Sequence, residues 1–182
     1  MPLTHTVGPL RYMTVGASSG SADFHNKYRG DLGIYRKWTD TQQWVTGLSV
    51  MKSASRDQVH RDTGITGSVA YYSTNAWVAE GGVVYNRSNP GAVDGFRGYG
   101  AITLGTAKNY YLTARLDHGK EAYLPVGAIA QSGNQVGFQS TEFSLQWRHW
   151  LAKDWGYVLG GQLYHNPYYN RKGISAAVFF DF

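Results

Sequence analysis

Apolar and polar residues alternate with a period of two through segments of about ten residues, and these segments recur along the whole chain. A period of two is typical of a β-strand whose two faces meet different surroundings. No window carries the apolar spacing and the caps of an amphipathic helix. The alternation therefore predicts an all-β fold. The ten predicted strands cover residues 10–18, 27–38, 43–52, 64–73, 76–86, 95–106, 109–118, 141–151, 156–165 and 173–182.

The connections between these strands are alternately short and long, which predicts how the strands are arranged. In an up-and-down antiparallel sheet every second connection lies at the same end, so one end would carry the tight turns and the other the long loops. This asymmetry is typical of a transmembrane antiparallel up-and-down β-barrel. Because ten is even, we expect both termini at the short-turn end. The short connections are 39–42, 73–75, 106–109 and 152–154, and the long ones are 19–26, 53–63, 87–94, 119–140 and 166–172.

Length and composition exclude several other classes of protein. With 182 residues the chain is expected to form one domain, residues 1–182. No run approaches the ~18 to 20 apolar residues of a membrane helix, and residues 1–7 show no signal-peptide pattern. Cysteine is absent, which excludes disulfides, thiolate zinc sites and cysteine nucleophiles.

One parity of each strand is apolar, and the other carries most of the mid-strand charges. A soluble barrel with an apolar cavity would show the same alternation inverted. Trp and Tyr cluster at the short turns, as in the aromatic girdles of membrane barrels, and this favours an apolar face toward lipid. Arg36 and His149, on the apolar parity, both lie near short turns. The residues predicted to line the lumen are Arg11, Arg29, Asp31, Tyr35, Glu80, Arg97, Tyr99, Arg115, Asp117, Glu142, Gln146, Arg148 and Gln162.

These lumen residues are compatible with two structures. Arg paired with Asp or Glu on neighbouring strands would give a packed ionic interior of structural value only. The same alternating charges could instead line a narrow polar pore for small solutes or a sugar chain, with Tyr35, Tyr99 and Tyr164 as stacking surfaces. The sequence leaves both possibilities open.

Most of the net charge of +5 falls at the predicted long-loop end. A basic rim there would attract the phosphates of lipopolysaccharide or an acidic polysaccharide, although a simply solvated loop surface has the same composition. The basic residues are dispersed and show no nucleic-acid-binding motif, so we expect no nucleic-acid partner. The predicted loop surface comprises Lys52, Arg56, Arg61, Arg87, Lys120, Tyr123, Arg171 and Lys172.

The last predicted strand, 173–182, alternates apolar residues and ends on Phe182. It resembles the closing strand of Gram-negative outer-membrane proteins, in which a terminal Phe serves recognition by the assembly machinery. The alternation, the small size and the Gly/Tyr/Trp-rich strands resemble YaiO-type barrels. That resemblance implies a monomeric outer-membrane barrel with periplasmic termini and extracellular loops. It also implies an exopolysaccharide-associated system and a periplasmic helical-repeat domain or partner.

The expected function is therefore a narrow pore or membrane anchor for small polar or saccharide cargo, without enzymatic activity, cofactor or metal. One alternative is a surface binding protein or phage receptor that acts through the long loops, chiefly 119–140. A second alternative is a hydrolase at the outer rim. Adjacent residues of a strand point to opposite faces, so Asp117 and His118 are not expected to form a dyad. The other rim candidates are His25, Asp57, His60, Asp62 and His165.

Overall fold

The computed structural model describes residues 3–20, 26–38, 40–56, 61–89, 93–123 and 136–181 of the 182-residue chain. All regular secondary structure within these ranges is β-strand. Among the described residues there is no helix long and apolar enough to cross a membrane.

Eleven β-strands follow one another along the described chain, and those from the third onward contain 11 to 15 residues each. Strands of this length are sufficient to cross a bilayer when tilted. The strands are β1 (Leu3–Gly8), β2 (Arg11–Ser18), β3 (Asn26–Trp38), β4 (Trp44–Ser55), β5 (Arg61–Tyr72), β6 (Trp77–Asn89), β7 (Val93–Thr106), β8 (Tyr110–Tyr123), β9 (Val136–Trp150), β10 (Trp155–His165) and β11 (Asn170–Phe180).

Each strand pairs antiparallel with its neighbours in sequence, so the sheet order is β1 to β11 without a crossover. This confirms the predicted all-β, up-and-down antiparallel architecture. The sheet has one strand more than the ten predicted, because β1 pairs with β2 from Leu3, opposite Val15. The sequence pattern does not predict β1, because Leu3–Gly8 is short, contains only two large apolar residues and is followed by Pro9.

The odd number of strands changes the placement of the chain ends. Both β1 and β11 run toward the short turns, and within the described part of the chain no ladder joins them. The expectation of both termini at the short-turn end was based on ten strands. The added β1 places Leu3 opposite Val15, away from that end, whereas Met1 and Phe182 themselves lie outside the described residues. The last described strand does finish at the short-turn end, because the Asp181 N–H donates to the Asp154 carbonyl in the β9–β10 turn (2.7 Å).

The two ends of the sheet differ as predicted, but the strands reach further toward the long loops. Three short turns place a non-glycine residue, Gln42, Ala76 or Lys108, at a positive φ of 53 to 63°, as tight hairpins require. At the other end, β8 continues to Tyr123 and β9 begins at Val136. Residues assigned to loops by the sequence therefore belong to the walls of the sheet.

The apolar part of the outer surface has the dimensions of a membrane-spanning band. On β6 it extends from Trp77 to Tyr85, eight residue steps or about 26 Å along the strand. A strand tilt of ~35–45° reduces this to about 20 Å along the barrel axis, close to the ~25 Å apolar band of outer-membrane barrels.

Candidate functional site

The polar face of the sheet is the sheltered one. On β4, Val45 faces this side with 7% exposure, whereas Leu48 on the opposite side is 50% exposed. The same alternation of sheltered polar and exposed apolar positions continues through Ile65 and Val83, which are 44% and 46% exposed. We call the sheltered side the inner face and the apolar side the outer face. An apolar outer face and a polar inner face are the arrangement of a membrane barrel rather than of a soluble one.

Strand register brings most of the predicted lumen residues onto the inner face. One row of ladder partners crosses the whole wall on this face, from β2 to β11, and joins aromatic, small and charged residues. The row contains Tyr12, Tyr35, Gly47, Ser68, Gly82, Tyr99, Asp117, Glu142, Tyr164 and Arg171. Other inner rows carry the remaining predicted lining residues, namely Arg29, Asp31, Glu80, Arg97, Arg115, Gln146, Arg148 and Gln162.

Arg11 is the exception among the predicted lining residues. The ladder pairs it with Arg36, a residue of the outer face, while its neighbour Tyr12 pairs with Tyr35 inside. The prediction is wrong because the charge of Arg11 does not mark the polar parity of β2. Met13 and Val15 share the parity of Arg11, so that parity is the apolar one and Arg11 is its turn-proximal end.

A charged and aromatic cluster lies halfway up the inner face. The Tyr99 hydroxyl donates to Glu80 Oε1 (2.9 Å), and the Arg115 guanidinium lies 4.0 Å above the centre of the Tyr99 ring. Arg115 also donates from Nε and Nη2 to the two carboxylate oxygens of Asp117, at 2.7 and 2.8 Å. These contacts hold the guanidinium flat along the wall.

A second cluster, centred on Glu121, lies near the long-loop end of the inner face. Glu121 accepts from Ser140 Oγ (2.8 Å) and from the Tyr164 hydroxyl (2.9 Å), and it forms an ion pair with Arg97. Ser140 and Tyr164 are 1% and 6% exposed, so the carboxylate binds groups that have little access to water. The sequence pattern predicts a loop at Glu121. Continuing the alternation of Arg115 and Asp117 by two further steps would have assigned it to the lumen.

A third cluster, centred on Asp181, closes the inner face at the short-turn end. Its carboxylate accepts from Lys108 Nζ (2.8 Å), Trp150 Nε1 (2.8 Å) and Arg148 Nη2 (2.9 Å). The hydrogen bonds from Lys108 and then Trp150 lower the pKa of the Asp181 carboxyl. The cluster ties the end of β11 to the β7–β8 turn and to β9.

Two inner tyrosines lie flat across neighbouring strands because glycine leaves room for their rings. A Cβ on Gly47 would fall 2.5 Å from ring atoms of Tyr35, and a Cβ on Gly82 would fall 2.7 Å from Cε1 of Tyr99. The Tyr35 ring also stacks on Tyr12, with centroids 4.7 Å apart and planes 6° apart. These aromatic faces are therefore part of the wall surface.

Aromatic residues form a girdle on the outer face near the short turns, as predicted. Tyr71 lies between Trp44 and Trp77, with ring centroids 4.8 and 5.3 Å away. A second group on β9 and β10 joins Trp147, His149 and Tyr157 through pairwise contacts of 5.4 to 5.5 Å. Three of the aromatic residues that cluster at the short turns belong to the inner parity and not to this girdle, namely Tyr72, Tyr111 and Trp150.

Most residues of the predicted loop surface lie at the ends of strands and not in loops. Arg56 follows β4 and donates to the Gly20 carbonyl at 3.0 and 3.2 Å. Arg171 is on the inner face, 5.1 Å from the centre of the Tyr164 ring, and Tyr123 is the last residue of β8. The other five are outward-facing residues at the long-loop ends of their strands, and we call them the basic collar. The collar comprises Lys52, Arg61, Arg87, Lys120 and Lys172.

Asp117 and His118, the two rim candidates that are adjacent in sequence, lie on opposite faces of the sheet. Asp117 faces inward to Arg115, whereas His118 Nδ1 lies 2.8 Å from Thr141 Oγ1 on the outer face. His25, Asp57 and His60 lie outside the described residues, as does 124–135 of the proposed receptor loop. The hydrolase and receptor alternatives therefore stay predictions. Within the described ranges, no three His, Asp or Glu residues are grouped as a metal site would require.

The sheet topology and its two faces define a class, the β-barrel that crosses a membrane with apolar residues outside and polar residues inside. A family model described as the YaiO membrane beta barrel domain matches residues 3–124, about two thirds of the chain. The chain therefore belongs to the YaiO membrane β-barrel family, which confirms the resemblance, the barrel fold and the outer membrane as its location. Comparison with curated proteins and with solved structures gave no match.

Proposed function

We propose that this barrel provides a narrow passage across the outer membrane for small polar or saccharide cargo, within an exopolysaccharide-related system. The observation that carries the proposal is the orientation of the inner tyrosines. Tyr35 and Tyr99 lie against Gly47 and Gly82 instead of extending toward the barrel axis. Aromatic rings and guanidinium groups that lie along the wall leave space near the axis for a solute.

The charges of the inner face favour a neutral or weakly charged solute. Their guanidiniums are paired with carboxylates, so the lining offers many hydrogen-bonding groups without a strong field of one sign. Tyrosine faces complement the apolar faces of sugar rings, and the paired charges complement their hydroxyls. The ion pairs of the inner arginines in the described part of the chain are Arg29–Asp31, Arg97–Glu121, Arg115–Asp117, Arg148–Asp181 and Arg171–Glu142.

We also propose how the barrel is oriented in the outer membrane. The long loops lie outside the cell, and the short turns with the end of β11 lie in the periplasm, as in other outer-membrane barrels. A helical-repeat domain or partner at the periplasmic mouth would present the cargo to a monomeric barrel. The YaiO resemblance supports the partner, and the tight turns at one end of the sheet support the orientation, since outer-membrane barrels have short periplasmic turns.

Single-channel conductance of the refolded chain in a planar bilayer tests the passage. Neutral and acidic oligosaccharides are added in turn on the long-loop side. We expect steady conductance that neutral oligosaccharides block more strongly than acidic ones. A correctly inserted barrel, identified by its heat-dependent mobility in SDS, that carries no current would contradict the passage and favour a pure membrane anchor.

A matched pair of tyrosine variants shows whether the blocking sites are inside. Tyr99→Ala removes an inner ring and should raise conductance while weakening block by sugars. Tyr85→Ala removes an outer-face ring, whose hydroxyl donates to Asp94 (2.8 Å), and should change neither. Equal effects of the two variants would contradict binding of sugar in the lumen.

A further inference from the structure

The five cations of the basic collar lie beyond the apolar band of the outer face, toward the long loops. On β4, Lys52 is the next outward-facing residue after Val50, and on β6, Arg87 is the next after Tyr85. Lys120 follows Leu116 and His118 on the same face of β8. All three cations are exposed. Their charges are therefore held at the depth where lipid headgroups begin.

The register places these cations close enough to share an anionic ligand. Lys52 and Arg87 are both ladder partners of Thr63, so they flank it in one outer row. With neighbouring strands ~4.8 Å apart, their Cα atoms are separated by about 10 Å, and two long side chains can close that distance. Lys120 continues the collar two strands further, opposite Phe96.

Within the described residues, none of the collar cations has an ion-pair partner, in contrast to the arginines of the lumen. The carboxylate nearest in register is that of Asp94, opposite Arg87, and it accepts a hydrogen bond from the Tyr85 hydroxyl (2.8 Å). Unpaired cations at a membrane surface gain free energy from anionic headgroups. The short-turn end of the outer face has aromatic residues in the corresponding position, with Arg36 4.0 Å from the Trp38 ring.

We infer that the basic collar is a binding site for the phosphate groups of a phosphorylated glycolipid of the outer leaflet, of the lipid A type. Lys52 and Arg87 on either side of Thr63 bind one phosphate region, and Lys120 extends the site toward β9. The inference rests on the proposed orientation, with the long loops outside. It is independent of any passage through the lumen, so a silent barrel would leave it standing.

Lipid binding to the refolded full chain in neutral detergent micelles tests the inference. The probes are bisphosphorylated lipid A, the same lipid after removal of both phosphates, and inorganic phosphate alone. Binding is measured as an apparent dissociation constant and as a shift in the unfolding temperature. We expect binding and stabilisation by the phosphorylated lipid and neither by the other two probes.

Two triple variants with equal charge change locate the site. K52Q/R87Q/K120Q removes three collar cations and should weaken binding of phosphorylated lipid A by at least about tenfold. R11Q/R36Q/K153Q removes three cations at the short-turn end and should change binding by less than about twofold. Heat-dependent mobility in SDS verifies that both variants fold, and single variants K52Q and R87Q replace the triple one if it does not.

Three results would overturn the inference. Equal affinity for dephosphorylated lipid A would show that acyl chains alone are recognised. Equal loss of binding in both triple variants would show a general charge effect without a collar site. Displacement of the lipid by millimolar inorganic phosphate would indicate a site for free anions instead of a lipid site.

Discussion

The arginines of the lumen are paired with carboxylates, whereas the cations of the basic collar make no ion pair with a described residue. Strand β8 shows both cases within a few residues. Arg115 faces inward and binds both oxygens of Asp117 at 2.7 and 2.8 Å. Lys120, five positions further and facing outward, makes no ion pair with a described residue. Glu121, the next residue, faces inward again and is bound by Ser140 and Tyr164.

This contrast indicates what each surface contacts. Inner charges of opposite sign lie next to one another on the wall, so they pair within the chain even though the lumen also gives them access to water. Outer charges at the rim can be satisfied by water, headgroups or a ligand, so the fold does not have to supply partners. Among the described residues, the pairing of the lumen arginines and its absence in the basic collar therefore distinguish the inner surface from the one that faces the membrane surface.

We expect the largest effect on the free energy of unfolding from a charge introduced at mid-bilayer depth on β9, where the two faces can be compared. Leu145→Arg places a charge in the middle of the apolar band and should destabilise the folded barrel by about 2–4 kcal/mol. Gln146→Arg, one residue further and facing the lumen, should stay within about 1 kcal/mol of the parent. Urea unfolding in lipid vesicles measures both free energies. Equal costs would contradict the assignment of faces.

The second prediction compares two adjacent residues at the long-loop end of β8, the inward-facing Glu121 and the outward-facing Lys120. Glu121→Ala leaves the buried Ser140 and Tyr164 hydroxyls without their acceptor and should cost about 1–3 kcal/mol. Glu121→Gln retains an acceptor and should cost less. Lys120→Ala should change the unfolding free energy by no more than about 0.5 kcal/mol. A larger effect at Lys120 than at Glu121 would reverse the comparison.

The third prediction concerns the fit of tyrosine rings to the inner wall. Gly47→Ala introduces a Cβ that meets the Tyr35 ring at 2.5 Å, and should cost about 1–2 kcal/mol as overpacking while altering the near-ultraviolet circular dichroism of the Tyr12–Tyr35 stack. Gly67→Ala is the control, since it faces outward with Val83 Cγ2 3.9 Å away. An unchanged spectrum in Gly47→Ala would show that the ring does not lie on that glycine.

The smallest effect is a pH dependence at Asp181. Its folded-state pKa is lowered, chiefly by Lys108, so the carboxylate stabilises the folded state above its unfolded pKa of about 4. That contribution is lost as the pH falls through the lower, folded-state pKa. The stability difference between the parent and Asp181→Asn should therefore be present at neutral pH and disappear in strong acid. Urea unfolding across this pH range, with Asp154→Asn as a control, measures it.

The sequence predicted the faces of the sheet best in the middle of the strands. There the two sides meet lipid and a polar lumen, so positions such as Leu145 and Gln146 differ sharply in character. The same contrast disappears near the long-loop end, where both faces meet water or headgroups. For that reason the sequence pattern does not distinguish the inward-facing Glu121 from the outward-facing Lys120 and predicts a loop at both.

Errors at the short-turn end have a different physical origin. Aromatic residues are favourable on both faces there, outside in the girdle and inside against the charged clusters. Trp150 illustrates this, because its indole N–H donates to Asp181 within the lumen. Arg11 illustrates the reverse case, a charge on the outer face within reach of the membrane surface.

The central claim, that the apolar face contacts lipid and the polar face lines the interior, can be tested along one strand. The chain lacks cysteine, so single cysteines can be introduced and spin-labelled at successive positions 142–147 of β9 in the vesicle-inserted barrel. We expect strict alternation: oxygen dissolved in the lipid preferentially reaches the labels at 143, 145 and 147, and a water-soluble nickel complex preferentially reaches those at 142, 144 and 146. Inverted alternation, or labels that are all equally accessible to the nickel complex, would contradict it.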